Sequence, residues 1–344
     1  MSYNNSNGKI IRVVGLEVAN SSIKGYANNK SLLYPNTVKA VTKTFEGSFI
    51  KNNEGFIAEY EGQVYEVGFV DNSGSGSKSI TRYSTPEFKR ECIFALSQLV
   101  ERDDEEIRLF TGTPSSHSDD EEIKKDIINN LKGTHTVKLI PSNVKRTFTI
   151  THVQVVAQPV GTLIKSWFNE NGTVKNKNEM KNDFCVIDIG WGSTDLLTMV
   201  GGRPKEKDTI NLAMSDFNKN LRDEIQNKHP ESKVKYYYNS LYELDLKVRE
   251  TDIIETPHGL KSYNIKNIKE EVQLDFAREI ISRISNTGIN LDNFYRIYIT
   301  GGGSIMLHKA MQNIFRNDDR ISLVENPQMA NAIGFYILAR QTWH

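Results

Sequence analysis

Residues 183–195 read DFCVIDIGWGSTD: an apolar run carries one aspartate to its end, and glycine and small hydroxyl residues take over. Freed backbone beside a carboxylate suits a phosphate and its metal. Gly190 and Gly192 let the chain turn tightly and expose N–H groups that can face phosphate oxygens. Ser193 and Thr194 add hydroxyl donors. Asp188, at the strand's end, is placed to hold a magnesium ion through water, because that ion keeps much of its hydration shell. D-x-G and G-S-T also mark ordinary hairpins, so the segment alone does not decide. A second stretch, ITGGGS at 299–304, runs a strand into Gly301, Gly302 and Gly303 and then a helix start. Such a turn allows close approach of a flat or anionic ligand. A triple glycine is also a common turn, but its place after DIGWGSTD strengthens both.

These residues need strands to carry them. KIIRVVGLEV at 9–18 is β-branched and apolar, a buried strand; ANSS is a turn, and IKGYA the returning strand. FIAEY and QVYEVGF flank Glu61-Gly62, a hairpin signal, and DNSGSGSKS at 71–79 reads as a flexible surface loop. Thr85-Pro86-Glu87 opens a helix through about Val100. IRLFTGTP (107–114) is a strand, SDDEEIKKDIINNL (118–131) a helix with an acidic start, and TVKLIP and TFTITHV are strands. The pattern predicts a helix from about Gln154 to Phe168, with Pro159 kinking it or marking its first turn. Beyond the quoted strand come a strand at 195–200, helices near 211–228, 239–250, 267–286 and 304–314, and the strand FYRIYIT. A last helix is predicted from NPQMANAIGFYILARQ, with Asn326 as its cap and Pro327 at its first position.

Strands and helices mix throughout the 344 residues, giving an α/β class with two domains. The strand-turn-strand at 13–26 recurs at 185–200, with Glu17 on Asp188, Ala19 on Gly190 and Ser22 on Ser193. Two related halves, each with a carboxylate-tipped hairpin, suggest a cleft lined from both sides.

Composition excludes several classes. Lysine plus arginine number 43, as do aspartate plus glutamate, so there is no net charge and no basic excess for direct nucleic-acid binding. No apolar stretch approaches the roughly 20 residues that span a bilayer, and the polar start MSYNNSNGK lacks a signal peptide's apolar centre. Cys92 and Cys185, far apart, fit buried side chains in a reducing cytoplasm. Seven histidines and two cysteines show no metal-ligand spacing. There is no G-x-x-x-x-G-K-[ST], which excludes a P-loop NTPase.

Taken together the motifs resemble the actin, sugar-kinase and heat-shock-chaperone ATPase superfamily. In that family VIDIGWGSTD is similar to the second phosphate motif and YITGGGS to the adenosine motif. GLEVANSSIK is similar to the first phosphate motif, with Glu17, the turn Asn20-Ser21-Ser22, and Lys24 at the family's spacing of seven residues. The resemblance implies that Lys24 contacts phosphate and that Glu17 joins Asp188 at the magnesium through water. Two departures stand out: glutamate replaces the usual aspartate at 17, and Ala19 replaces glycine, disfavouring positive φ there. The family's first connecting helix begins with a glutamine or glutamate that positions the attacking water. QVVAQPVG fits with Gln154, Ala157 and Gly161, and Gln158 is a rival. Family members also use lysine and glutamate near the adenosine, for which Lys247 and Glu250 are candidates against a solvated helix face.

Within the superfamily the plasmid-segregating bacterial actins of the ParM type look most similar. VYEVGF with a later TRYSTPEFKRECIFAL, LFTGTPSS, and ENPQMANAIGFYILA resemble their V-G…R-Y, T-G-x-P and P-x-x-A-N-x-x-G-F patterns. The resemblance implies an actin-like fold of two related α/β domains around a central nucleotide cleft, one formed by 1–160 with 327–344 and the other by 161–326. It implies a cytoplasmic ATPase, or GTPase, that self-associates into filaments and segregates a plasmid. A small DNA-binding adaptor at a centromere-like site is the expected partner, with no membrane. A small-molecule kinase of the same fold, or a cell-shape actin homologue, is the alternative. No acceptor-activating carboxylate for a kinase is identifiable, and the N-terminus offers no amphipathic anchor.

Overall fold

The computed structural model describes residues 3–4, 8–41, 55–70, 80–140, 142–238, 240–256 and 259–343. The loop expected at 71–79 lies outside the described residues. The chain divides into two compact units, one formed mainly by residues up to Met180 and from Met329 onward, the other by Lys181–Gln328.

The first unit contains β1 (Tyr3–Asn4), β2 (Ile10–Val18), β3 (Ser22–Ala27), β4 (Lys30–Pro35), β5 (Val38–Val41), β6 (Phe56–Tyr60) and β7 (Gln63–Val67). These are followed by α1 (Pro86–Leu99), β8 (Glu105–Thr113), α2 (Glu121–Leu131), β9 (Gly133–Ile140), β10 (Val144–Ala157) and α3 (Gln158–Trp167). Their sheet runs β4-β3-β2-β8-β10-β9-β6-β7-β5, with β2, β8 and β10 parallel at its centre. β2 is almost wholly buried, as a central strand covered on both faces should be. Val14, Leu16 and Val18 face the cluster under α1 with Phe88, Cys92, Leu96 and Leu99. Val13 packs on the other face with Phe110 and with Phe335 of the C-terminal helix. Arg12 interrupts the apolar run: it is 2% exposed and forked onto buried Glu105, with Glu101 at 3.0 Å.

The second unit contains β11 (Phe184–Ile189), β12 (Thr194–Val200), β13 (Arg203–Ile210), α4 (Met214–Lys228), α5 (Val234–Tyr237), α6 (Leu241–Glu250), β14 (Ile253–Glu255) and β15 (Ser262–Asn264). It continues with α7 (Lys266–Asn286), β16 (Arg296–Thr300), α8 (Ser304–Ile314) and β17 (Ile321–Leu323), before α9 (Ala330–Trp343) returns the chain to the first unit. The sheet order is β13-β12-β11-β16-β17, with β11 and β16 parallel. Cys185, Ile187, Ile189, Ile297 and Ile299 alternate onto one face, where Phe217, Phe276, Ile280, Leu307 and Met311 from the helices complete the core.

Two expectations about helix starts need correction. Residues 152–157 are not helical: they pair in parallel with 108–113 of β8, so β10 runs to Ala157 and α3 starts at Gln158. The β-branched run there is held by the sheet, and Pro159 sits in the first turn of α3. The last helix begins at Ala330, not Pro327. Asn326 takes a positive φ of 47°, and the Pro327 carbonyl accepts from the Gly301 amide at 3.2 Å, so this segment serves the glycine turn instead.

The expected domain boundary at 160/161 falls inside α3. A Cβ on Gly334 of α9 would lie 2.7 Å from Gly161 Cα, so the two helices touch backbone to backbone. Asn331 Oδ1 accepts from the Thr162 amide at 3.1 Å and its hydroxyl at 2.8 Å. These contacts keep α3 in the first unit.

Candidate functional site

Each unit places its candidate hairpin, and the second unit also its glycine turn, at the carboxyl ends of parallel strands, where ligands bind in open α/β sheets. In the first unit these ends are Val18 of β2, Thr113 of β8 and Ala157 of β10. In the second they are Ile189 of β11 and Thr300 of β16.

The two hairpins share one wiring. In β2–β3, Glu17 pairs with Lys24 and Val18 with Ile23, and the Ala19 amide donates to the Ser22 carbonyl at 3.1 Å. In β11–β12, Asp188 pairs with Asp195 and Ile189 with Thr194, and the Gly190 amide donates to the Ser193 carbonyl at 2.9 Å. The register places Glu17 on Asp188, Ala19 on Gly190 and Ser22 on Ser193. Ala19 therefore imposes no different turn: neither it, Gly190 nor Gly192 has positive φ. Glycine at 190 serves clearance, since a Cβ there would lie 2.9 Å from the Ser193 carbonyl oxygen.

In each hairpin the tip carbonyls are held from behind. Asn36 Nδ2 donates to the Ala19 carbonyl at 2.7 Å, and the Asn36 amide to the Ser21 carbonyl at 2.9 Å. In the second unit the first amides of α4 do this work: Met214 N reaches the Gly190 carbonyl at 3.1 Å and Ser215 N the Trp191 carbonyl at 3.0 Å. The amides of Asn20 and Ser21, and those of Gly192 and Ser193, make no hydrogen bond among the described residues. Each tip thus presents unclaimed donors, the arrangement an anion requires.

The side chains differ between the halves. Glu17 and Lys24 are both buried and form an ion pair at 2.9 Å. Glutamate's extra methylene carries the carboxylate toward the lysine across the ladder. Asn20 Oδ1 accepts from Arg82 at 3.3 Å, and Arg82 is in turn paired with buried Glu91. Arg82 lies 62 residues from Asn20 in the chain, and only the fold brings it to the hairpin tip. In the second hairpin Thr194 Oγ1 donates to the Leu212 carbonyl at 2.7 Å, while Ser193 Oγ reaches Asp195 at 3.3 Å.

The glycine turn sits directly on β11. Gly303 N donates to the Ile189 carbonyl at 2.9 Å, and Ser304 Oγ to the Gly301 carbonyl at 2.7 Å. Gly301 has a φ of 82°, and a Cβ there would collide with Asp188 Oδ1. Any side chain at 301 would have to displace that carboxylate oxygen. No cluster of three or more His, Cys, Asp or Glu could hold a cation among the described residues. Magnesium on a nucleotide takes most of its ligands from water and phosphate, so a single carboxylate such as Asp188 is compatible with that ion. The residues fit that ion.

Of the α6 candidates, Lys247 stands 3.7 Å from Glu255, and Glu250 is exposed without an ion pair among the described residues. The residue of α6 that reaches the glycine turn is Arg249, whose Nη1 donates to the Gly302 carbonyl at 2.8 Å and whose Nε donates to Asp245 at 2.7 Å. The i, i+4 spacing of Asp245 and Arg249 was a readable signal; the Gly302 contact was not. Gln154 lies exposed on β10, paired in register with Phe110. Gln158 is the glutamine that opens the connecting helix, and its Cγ lies 3.0 Å from where a Gly112 Cβ would stand, at the end of β8.

Two α/β units, each with a carboxylate-tipped hairpin at the carboxyl ends of its strands, define the actin-like class. A model of the N-terminal domain of actin-like proteins matches residues 15–161, and one of the C-terminal domain of archaeal MreB-like actin homologues matches 186–313. The chain belongs to the actin-like superfamily. Among solved structures it is similar to an archaeal actin homologue in complex with ADP (19% identity, TM-score 0.72, 96% of this chain and 99% of that one). It is also similar to a 15-stranded ParM filament from Clostridium botulinum (18%, 0.73, 96% and 99%). The actin-like protein Alp7A is a third (16%, 0.73, 96% and 97%). No curated protein matches the sequence significantly.

Proposed function

We propose that this chain is an actin-like NTPase that binds ATP, or GTP, with magnesium, polymerises into filaments and segregates a plasmid. The observation that carries the nucleotide reading is the repeated hairpin: one turn, held from behind by its carbonyls, with tip amides unclaimed, occurring once in each unit. Asn20, Ser21, Ser22 and Lys24 from one hairpin, and Gly190, Gly192, Ser193 and Thr194 from the other, would bind the phosphates. Gly301, Gly302 and Gly303 would carry the nucleoside, with Lys247 and Glu250 near its edge. Asp188 would hold the magnesium through water, with Glu17 joining it once Lys24 turns to phosphate. The magnesium ion would neutralise the developing phosphoryl charge. A glutamine would orient the attacking water; Gln158 is better placed for this than Gln154, because it opens the helix.

Filament assembly and plasmid segregation are supported by the ParM and Alp7A likenesses, which concern those proteins. The chain's lack of net charge fits self-association and an adaptor that carries the DNA contact. Two buried thiols fit a reducing cytoplasm, and no described helix is long and apolar enough to cross a membrane. Light scattering and pelleting with ATP, with GTP and without nucleotide test the reading. Assembly that requires a nucleotide is expected, and equal behaviour in all three would overturn it.

A further inference from the structure

One continuous hydrogen-bonded path joins the second hairpin to the glycine turn by a route behind both. Gly190 and Trp191 are held by the first two amides of α4. The Met214 carbonyl accepts from Asn218 Nδ2 at 2.8 Å, and the same nitrogen donates to Asp245 Oδ1 at 3.0 Å. Asp245 Oδ2 accepts from Arg249, which ends on the Gly302 carbonyl. Tyr242, Asp245 and Arg249 share one face of α6 by their spacing, and the Tyr242 ring meets Trp191 edge-on at 5.5 Å.

The path runs through apolar surroundings. Asn218 is 0% and Asp245 3% exposed, and their helical neighbours Phe217, Leu221, Leu244 and Val248 are all in the core. Asn218 Oδ1 has no hydrogen-bond partner among the described residues. An unsatisfied buried acceptor costs roughly 1–3 kcal/mol, a cost that replacing Asn218 and Asp245 together by apolar side chains would avoid. Stability does not explain an asparagine here, whereas its two donated bonds do: they tie the start of α4 to the Asp245–Arg249 pair.

We propose that Asn218, Asp245 and Arg249 are positioning residues, a relay that makes the phosphate hairpin and the glycine turn respond to one another. The proposal rests on the nucleotide reading above. Occupation of the glycine turn moves the Gly302 carbonyl, Arg249 carries the shift to Asp245, and Asn218 passes it to the helix start that holds Gly190 and Trp191.

Trp191 supplies the spectroscopic readout, in a chain whose Trp167 and Trp343, both in the first unit, are replaced by phenylalanine. The probes are adenosine and guanosine, which lack phosphates and reach Trp191 through the relay or through the direct Gly303–Ile189 bond that both variants below keep, and the corresponding diphosphates. Calorimetry measures binding independently. In the parent chain a saturating nucleoside is expected to shift Trp191 emission. In Asn218→Leu the nucleoside should bind within about threefold of the parent and the emission shift should vanish. Diphosphate affinity should fall about tenfold. Arg249→Lys, which keeps the charge and loses the fork, should show the same loss of signal and keeps the test open if Asn218→Leu does not fold. A shift that persists in both variants, or is missing from the parent despite bound nucleoside, overturns the relay. A parent chain that binds neither nucleoside nor diphosphate by calorimetry overturns the nucleotide reading itself.

Discussion

Replacing Gly301 with alanine tests the arrangement at the centre of the second unit. Its φ of 82° lies in the left-handed region, which costs an L-residue roughly 1–2 kcal/mol. The added Cβ would also strike Asp188 Oδ1 and lie 2.5 Å from the Ile189 carbonyl oxygen. Ile189 ends a fully buried strand and its carbonyl already accepts from Gly303, so it cannot move aside cheaply. Overpacking of this kind adds about 1–3 kcal/mol, and a central total of about 3 kcal/mol lowers the melting temperature of a unit this size by roughly 6–12 °C. The neighbouring glycine is the control: a Cβ on Gly302 meets only the Gln328 side chain, at 3.9 Å. Gly302→Ala should melt within about 2 °C of the parent. Thermal unfolding followed by circular dichroism compares the two. Adding Asp188→Ala to Gly301→Ala removes one of the two collisions and should restore less than half of the loss, a non-additive result. If Gly301→Ala and Gly302→Ala melt together, the account of the glycine turn lying on Asp188 is wrong.

Asp188→Ala should slow phosphate release at saturating nucleotide at least about tenfold, roughly 1.4 kcal/mol of barrier; an unchanged rate would remove Asp188 from the mechanism. Gln158→Ala should slow hydrolysis by about tenfold or more while nucleotide-dependent pelleting persists, whereas Gln154→Ala should hydrolyse normally; the reverse ranking would restore Gln154. Glu105→Ala leaves the Arg12 guanidinium buried beside the more exposed Glu101, and should cost about 3–5 kcal/mol in a urea titration, against under about 1 kcal/mol for Glu101→Ala. Burial pushes the Cys185 thiol from its ordinary 9.0 up to about 12. The folded chain holds that proton more tightly, so the contribution is intact below pH 9 and is lost as pH rises toward 12. Cys185→Ala should flatten that alkaline decline by up to about 1.4 kcal/mol per pH unit, measured as the change in urea stability between pH 8 and pH 10.

Local chemistry was legible in the sequence. An apolar run ending in Asp188, followed by glycines and hydroxyls, determines a strand and hairpin whatever packs around it. The repeat of that pattern at Glu17–Ser22 fixed the register of two hairpins that the structure closes with the same bond. Thr85-Pro86 at α1 and the positive-φ pair Glu61-Gly62 are equally local, because capping and turn geometry depend on a few adjacent residues. What the tertiary structure decided were the places where local signals compete. HVQVVA is amphipathic enough for a helix, yet parallel pairing with β8 claims it as strand and leaves Gln158, not Gln154, at the helix start. Asn326-Pro327 looks like a helix cap, yet its backbone is drawn to Gly301. Ala19 reads as a strained substitute for glycine, yet the turn never enters positive φ. Lys24 stands seven residues after Glu17 in the sequence, but the ion pair between them comes from their places opposite one another in the β2–β3 ladder. Arg249 and Asn36 bond to backbone 53 and 17 residues away in the chain. A hydrogen bond to a distant carbonyl leaves no periodicity or composition behind it; only folding brings the donor to its acceptor.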